Sequence, residues 1–169
     1  LPHGAFAKAC KQCKYDPQAL AQQFGVSMAA VFRRLASLPP RQGQPPFGLA
    51  ICDAAGVLTL IKTVPGFALP RAGGACPRWP LFGALCRPSH PLRLEVEMPG
   101  ANASRLMCYA IAEADPTTHF DAPPAVQSTM LVVPDPAGVA GETWPVGVSC
   151  RICPRTGCGS RREPAMSGI

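Results

Sequence analysis

Alternation of apolar and polar residues marks several short strands in the middle of the chain. The clearest case is LRLEVEMP, residues 92–99, in which leucine, valine and methionine alternate with arginine and glutamate. A period of two puts the apolar set on one face, so this strand covers a core on one side only. Similar patterns predict four further strands, at residues 47–53, 56–63, 104–113 and 126–133.

Short turns join these strands in pairs. Ala54 and Ala55, bounded by Asp53 and Gly56, separate the first two strands and predict a hairpin. The tetrapeptide GANA, residues 100–103, separates the next two and predicts a second hairpin.

A period near 3.6 replaces the alternation between residues 16 and 38 and predicts two short helices. Asp16 before Pro17 is typical of an N-cap followed by a first-turn proline, and Ser27 after Gly25 predicts a second cap. The pair Pro39–Pro40 ends the second helix.

The same two helices, joined by FGVS, also fit a DNA-reading helix-turn-helix, with Arg33 and Arg34 near the end of the second helix. The N-terminal part of such a helix usually meets the bases. Here it consists of Met28, Ala29 and Ala30, which offer few hydrogen-bonding side chains. We therefore favour a packing role for these helices.

The segment RQGQPP, residues 41–46, breaks both periodicities and predicts a linker. It divides the chain into a helical segment, residues 1–42, and a second domain, residues 43–169. A further short helix is predicted at WPLFGALC, residues 79–86, between the hairpins. Five strands in hairpins with flanking helices predict an α+β fold on one antiparallel sheet, as in small-molecule sensor domains.

Composition places these elements in a chain of 169 residues, of which 47% are hydrophobic. This suits one domain, or one domain plus a short appendage. No apolar run approaches the length of a membrane span and no export signal is visible, so we expect a cytoplasmic protein. Because the sequence starts at Leu1, we expect a fragment whose upstream domain is missing.

The formal charge of +6 is concentrated at the two ends of the chain, while the middle is mildly acidic. A uniformly basic nucleic-acid binder usually looks different. No metallopeptidase, nucleophile-elbow or P-loop motif occurs, which argues against an enzyme. Cys86 and His90 have the residue types of a nucleophile and its base, but proline constrains the segment CRPSH that holds them. We expect a protein that is not an enzyme.

Nine cysteines without an export signal argue against a disulfide framework and for metal binding, redox chemistry or burial. Cys150, Cys153 and Cys158 form C-x2-C-x4-C, and thiolates select zinc or an iron–sulfur cluster. A fourth ligand is needed. We favour Cys76, which follows two glycines and precedes a proline in RAGGACPRW.

An alternative set keeps Cys150 and Cys153 and adds the pair Cys10 and Cys13 of KACKQCK. Two C-x2-C pairs would complete a zinc ribbon, although Cys158 would then have no role. This alternative predicts a zinc-stabilised interaction module without a cluster. The C-terminal arginines would offset the negative charge of either metal site, so they do not distinguish the two.

At RAGGACPRW and VGVSCRICPRTGCGSRREP, residues 71–79 and 146–164, the chain resembles the C-terminal domain of the short-chain fatty acyl transcriptional regulators. LAQQFGVSMAAVFRRLASL, residues 20–38, resembles the helical end of the metallopeptidase-related region that precedes that domain in the family. The likeness covers most of the chain from Asp16 onward.

The resemblance implies a [4Fe-4S] cluster held by Cys76, Cys150, Cys153 and Cys158, and an acyl-coenzyme A effector on a sheet of the GAF sensor type. It also implies DNA binding through an N-terminal helix-turn-helix absent from this chain, and we expect a homo-oligomer. Coenzyme A carries phosphates, so its site needs Arg or Lys side chains beside an apolar slot. Our candidates for that site are Arg71, Arg78, Trp79, Arg151 and Arg155.

Overall fold

The computed structural model describes most of the chain, namely residues 3–39, 42–71, 73–100, 104–114, 120–121, 125–134 and 142–166. Parts of three predicted segments lie outside these residues: Pro40 of the helix-ending proline pair, Arg41 of the linker and residues 101–103 of the GANA turn. None of the helices in the described ranges is long and apolar enough to cross a membrane.

Four α-helices form within the described residues: α1 His3–Gln12, α2 Pro17–Phe24, α3 Met28–Ala36 and α4 Pro80–Leu85. Both predicted caps are confirmed, because Asp16 accepts from the amides of Gln18 and Ala19, and Ser27 accepts from that of Ala30. Gly25 ends α2 in the left-handed region, at φ 61°. The sequence reasoning missed α1.

The described residues form one six-stranded sheet, in the order β2-β1-β5-β4-β3-β6. The strands are β1 Gly48–Asp53, β2 Leu58–Lys62, β3 Leu92–Glu97, β4 Arg105–Ala114, β5 Val126–Pro134 and β6 Trp144–Pro145. The first five correspond to the five predicted strands and pair antiparallel throughout.

The sixth strand corrects the predicted architecture. Strand β6 pairs parallel with β3, with Val96 opposite Trp144, so the sheet is mixed rather than purely antiparallel. A strand of two residues shows no alternation, which is why the sequence pattern did not reveal it. The α+β class is confirmed.

The two faces of the sheet carry separate hydrophobic cores. In β4, Cys108 and Ala110 contribute to one core, while Ile111 contributes to the other. Helices α1, α2 and α3 cover the second face, which we call the helix face, and α4 lies on the first. Most apolar residues of α3, including Val31 and Phe32, are buried, in agreement with the packing role. The division of the chain near residue 42 stays a prediction.

Candidate metal centre

Two distant parts of the chain meet on the face of the sheet opposite α1–α3. The backbone N–H of Cys76 donates to the carbonyl of Val148 at 3.0 Å. The indole Nε1 of Trp79 donates to the carbonyl of Gly147 at 2.8 Å. These bonds join the Cys76 segment to residues 146–163, which we call the cysteine loop.

The backbone of Gly147 lies close to the side chain of Cys153 within the cysteine loop. A Cβ atom built on Gly147 would lie 3.2 Å from Sγ of Cys153, closer than side chains normally pack. Since the carbonyl of Gly147 also accepts from the buried Trp79, this backbone cannot easily move aside. The sequence reasoning did not single out this glycine.

The sulfur of Cys76 lies in an environment that combines burial with amide donors. Burial raises the pKa of the Cys76 thiol, while hydrogen bonds from the amides of Arg78 and Gly147 act in the opposite direction. Negative charge on Cys150 and Cys153 raises it further, so these three thiols interact electrostatically. Amides donating to sulfur are typical of sites that hold thiolates.

The sulfurs of Cys150, Cys153 and Cys158 do not converge on one point with that of Cys76. Sγ of Cys150 accepts from the backbone N–H of Arg162 at 3.4 Å, and Cys150, Cys153 and Cys158 are each half-buried. Within the described part of the chain, no group of three or more His, Cys, Asp or Glu side chains is close enough to hold a metal ion as it stands. The donor chemistry fits a soft metal or cluster, but the ligand set is not closed.

The structure places the cysteines of the alternative zinc set on different faces of the sheet. Cys10 is buried in the helix-face core, where Sγ of Cys13 lies 3.8 Å from the carbonyl oxygen of Cys10. Cys76 belongs to the core on the other face, against which Val148 of the cysteine loop packs. The sheet therefore separates the N-terminal C-x2-C pair from Cys150 and Cys153.

Arg161 organises the backbone of the cysteine loop. Its Nη1 donates to the carbonyls of Cys150 at 2.8 Å and Glu163 at 3.4 Å. Its Nη2 donates to the carbonyl of Cys153 at 3.1 Å and to that of Arg155. One guanidinium thus holds two residues of the C-x2-C pair in place, a role that the sequence reasoning did not assign to it.

Two of the five candidate effector residues, Arg78 and Arg155, use their guanidinium groups to bind backbone carbonyls of the protein. Arg78 donates from Nε to the carbonyl of Pro145 at 2.7 Å, and its guanidinium lies 4.2 Å from the centre of the Trp144 ring. Arg155 donates to the carbonyls of Val146 and Glu97. These contacts anchor β6 and the cysteine loop to the edge of the sheet.

The other three candidates differ in exposure. Trp79 is buried, with 1% of its surface accessible, and packs edge-on against Phe67 at 5.4 Å between ring centroids. Arg71 is exposed. Arg151 is exposed and pairs with Glu163 at 3.0 Å. The structure does not bring the five into one cluster around a cavity, and their contact with an effector stays a prediction.

The structure gives no support to a nucleophile and base formed by Cys86 and His90. Cys86 is exposed, and Nδ1 of His90 lies 3.0 Å from the carbonyl oxygen of Pro88. The imidazole is thus turned toward its own backbone.

Comparisons with known proteins agree with the sequence resemblance. Residues 39–168 match the family described as "Short-chain fatty acyl coenzyme A regulator, C-terminal". The chain is 31% identical to the HTH-type transcriptional regulator PrpR of Mycobacterium tuberculosis, over 99% of this chain and 37% of PrpR. It is 32% identical to the propionyl-CoA carboxylase regulator of Cereibacter sphaeroides, over 98% of this chain and 38% of that protein.

A solved structure shares the fold. It is a Mycobacterium tuberculosis transcriptional regulator, 28% identical, which superposes with a TM-score of 0.84 over all of this chain and 55% of its own length. The chain spans less than two fifths of the two regulators it matches in sequence. The family match covers the second domain, including all four favoured cysteines. The chain therefore belongs to the short-chain fatty acyl coenzyme A regulator family, whose C-terminal domain it contains.

Proposed function

We propose that this chain is the effector-binding domain of a transcriptional regulator that responds to a short-chain acyl-coenzyme A. The family match over residues 39–168 carries the proposal. DNA binding would belong to a helix-turn-helix outside these residues, since the buried apolar face of α3 is used for packing. Homo-oligomerisation, a GAF type of sheet, a cytoplasmic location and the lack of enzymatic activity are part of the same proposal.

An effector can act on such a regulator only through its differential affinity for two arrangements of the protein. In this proposal the acyl-coenzyme A binds more tightly to one of two arrangements of this domain relative to the DNA-binding part, and it stabilises that arrangement. Arg71 and Arg151 are the candidate effector residues whose side chains face solvent. Arg151 belongs to the cysteine loop, and Arg71 to the segment that leads to Cys76, so an effector bound by them would be close to the candidate metal centre.

We further propose a [4Fe-4S] cluster held by Cys76, Cys150, Cys153 and Cys158. Three observations support it: amides donate to two of the sulfurs, Cys76 interacts electrostatically with two partners, and Arg161 orders the loop between them. Burial raises the pKa of the Cys76 thiol, so a thiolate there needs a cation to stabilise it. A bound cluster would supply one-electron redox chemistry and would fasten the loop to the sheet.

Metal content after anaerobic purification tests the cluster against zinc. We expect about four irons and four acid-labile sulfides per chain, as a [4Fe-4S] cluster contains. The variant Cys76→Ser should lose most of this iron. Its matched control is Cys10→Ser, which should keep it because Cys10 lies in the opposite core. One equivalent of zinc, retained by Cys76→Ser, would refute the proposed ligand set.

Binding of propionyl-coenzyme A by the purified chain tests the effector role. Isothermal titration should show saturable binding that exceeds the affinity for free propionate at least tenfold, because the phosphates add charge-assisted contacts. Absence of binding by the metal-loaded chain would contradict the proposal. Turnover of the thioester would contradict the regulator assignment.

A further inference from the structure

We infer that the acyl-coenzyme A binds in a cleft on the helix face, between the turn that joins α1 to α2 and the start of β3. The inference rests on the proposed function and gives it a location away from the cysteine loop. The cleft has a volume of about 580 Å³, within the range of small-molecule sites. Its lining combines cationic, phenolic and apolar side chains, as a phosphate-bearing acyl thioester requires.

Two cations stand at the cleft without a carboxylate partner in the described ranges. Lys14 comes from the α1–α2 turn and Arg93 from β3, and neither takes part in an ion pair there. The carboxylate of Asp16 also lines the cleft, where Oδ1 caps α2 by accepting two backbone amides. Oε1 of Glu95 pairs with Arg105 at 3.6 Å. The positive charge of Lys14 and Arg93 is therefore available to phosphate.

The turn that presents Lys14 is held in a strained conformation. Lys14 and Tyr15 are consecutive non-glycine residues at φ 51° and 61°. Residues with side chains rarely adopt this left-handed region, and such strain tends to occur where a protein positions a functional group. The backbone N–H of Tyr15 donates to the carbonyl of Cys10 at 2.8 Å, which fixes the turn against α1.

The floor of the cleft is aromatic and apolar. Tyr109 of β4 lies directly opposite Arg93 in the β3–β4 register, and its ring packs on Phe32 of α3 at 6.5 Å between centroids. Met28 completes the apolar wall. Burial raises the pKa of Tyr109, so its hydroxyl stays protonated and can donate a hydrogen bond to a thioester carbonyl.

Strand β3 connects this cleft to the cysteine loop. Arg93 stands near its first residue, and Glu97 at its last residue binds Arg155 of the loop at 3.6 Å. The proposed effector site and the cysteine loop thus contact opposite ends of one strand, through two side chains, Arg93 and Glu97, that lie on the same face of it. This placement gives the two sites a shared structural element.

Titration of the full 169-residue chain, purified anaerobically, with propionyl-coenzyme A tests the location. We expect Arg93→Gln and Lys14→Gln each to raise the Kd about tenfold, the usual effect of losing one charge-assisted phosphate contact. The matched control is Lys8→Gln on the exposed side of α1, which should leave the Kd unchanged. All three residues are exposed, so the thermal midpoints of the variants should match that of the parent chain.

Arg71→Gln separates this cleft from the site beside the cysteine loop. If Arg71→Gln weakens binding while Arg93→Gln and Lys14→Gln do not, the cleft is not the site, although the proposed function stands. If the parent chain itself does not bind propionyl-coenzyme A, the proposed function and the inference both fail. A loss confined to Arg93→Gln and Lys14→Gln supports the cleft.

Discussion

The guanidinium of Arg161, three residues beyond Cys158, donates to the backbone carbonyls of Cys150 and Cys153, the two cysteines of the C-x2-C pair. A planar group with five donors can satisfy several carbonyls at once, whereas a lysine ammonium is a point charge on a flexible stem. The cysteine loop therefore has an organiser that does not depend on metal. This residue is also half-buried, which limits competition from water.

We expect Arg161→Lys to loosen the cysteine loop while keeping its charge. Loss of the fork should cost about 1–2 kcal/mol locally, since hydrogen bonds to charged groups contribute about that much in a partly exposed setting. Hydrogen exchange of the amides of residues 150–161 should become about tenfold faster. The control is Arg162→Lys, whose parent side chain is exposed. Equal exchange in the two variants would refute the organising role.

Three buried thiols make stability depend on alkaline pH. Burial raises the pKa of Cys10 and of Cys52 from 9.0 to about 11, with the neighbouring Cys13 and Asp53 adding to the effect. Burial also raises the pKa of Cys108. Between pH 9 and 11 the unfolded chain loses these protons and the folded chain keeps them, so the free energy of unfolding falls as pH rises.

Urea titrations from pH 8 to 11 check this expectation. The double variant Cys10→Ala/Cys52→Ala should show a shallower decline than the parent chain, because two of the shifted groups are gone. Cys86→Ala is the control, since Cys86 is exposed. A decline as steep in the double variant as in the control would assign the pH dependence to other groups.

At the scale of helices and strands, the predictions succeeded where a face is buried over several residues. Over Cys108–Ala112, strand β4 alternates between the two cores, and such a pattern is visible in sequence. Helix α1 was missed because HGAFAKACKQ has no capping residue before it and a glycine in its first turn. Tertiary packing of Phe6 against α2 stabilises α1 instead.

Of the candidate metal centre, the sequence offers only the cysteine pattern, and its role as a ligand set stays a prediction. Cysteine spacing is a local property, so C-x2-C-x4-C could be read directly. The carbonyls that Arg78, Arg155 and Arg161 bind are brought together by tertiary folding, and no spacing rule reveals them. The cleft at Lys14 and Arg93 could not be predicted from the sequence for the same reason, since these two residues are 79 positions apart in the chain.

Helix α2 is stabilised at its N-terminus by the side chain of Asp16, its N-cap residue. Oδ1 of Asp16 accepts from the amide of Gln18 at 2.9 Å and from that of Ala19 at 3.4 Å. We expect Asp16→Ala to lower the free energy of unfolding by about 1 kcal/mol, the typical loss for an N-cap. Asp16→Asn should retain most of the stability, because asparagine caps equally well. Denaturant unfolding of both variants measures the difference, and equal losses would contradict the cap.

At the scale of the whole molecule, the sheet is a common wall between two different environments. The helix face holds Cys10 and the cleft with Lys14, and the other face holds Cys76 and the cysteine loop. A single layer of backbone separates them. Changes on one face can therefore reach the other through strands such as β3, which gives Val96 to one core and Arg93 to the cleft on the opposite face.

The short parallel pairing of β6 has a consequence for solubility. Besides pairing Val96 with Trp144, this segment donates from the amide of Val146 to the carbonyl of Glu97, so it caps the outer rim of β3. A chain cut before residue 142 would leave that rim with unsatisfied amides and carbonyls, which other strands recruit readily. Such a truncation should self-associate, which light scattering would detect. The full chain with its four favoured cysteines replaced by serine keeps β6 and should not self-associate. The tail is thus a guard against aggregation as much as a carrier of sulfur.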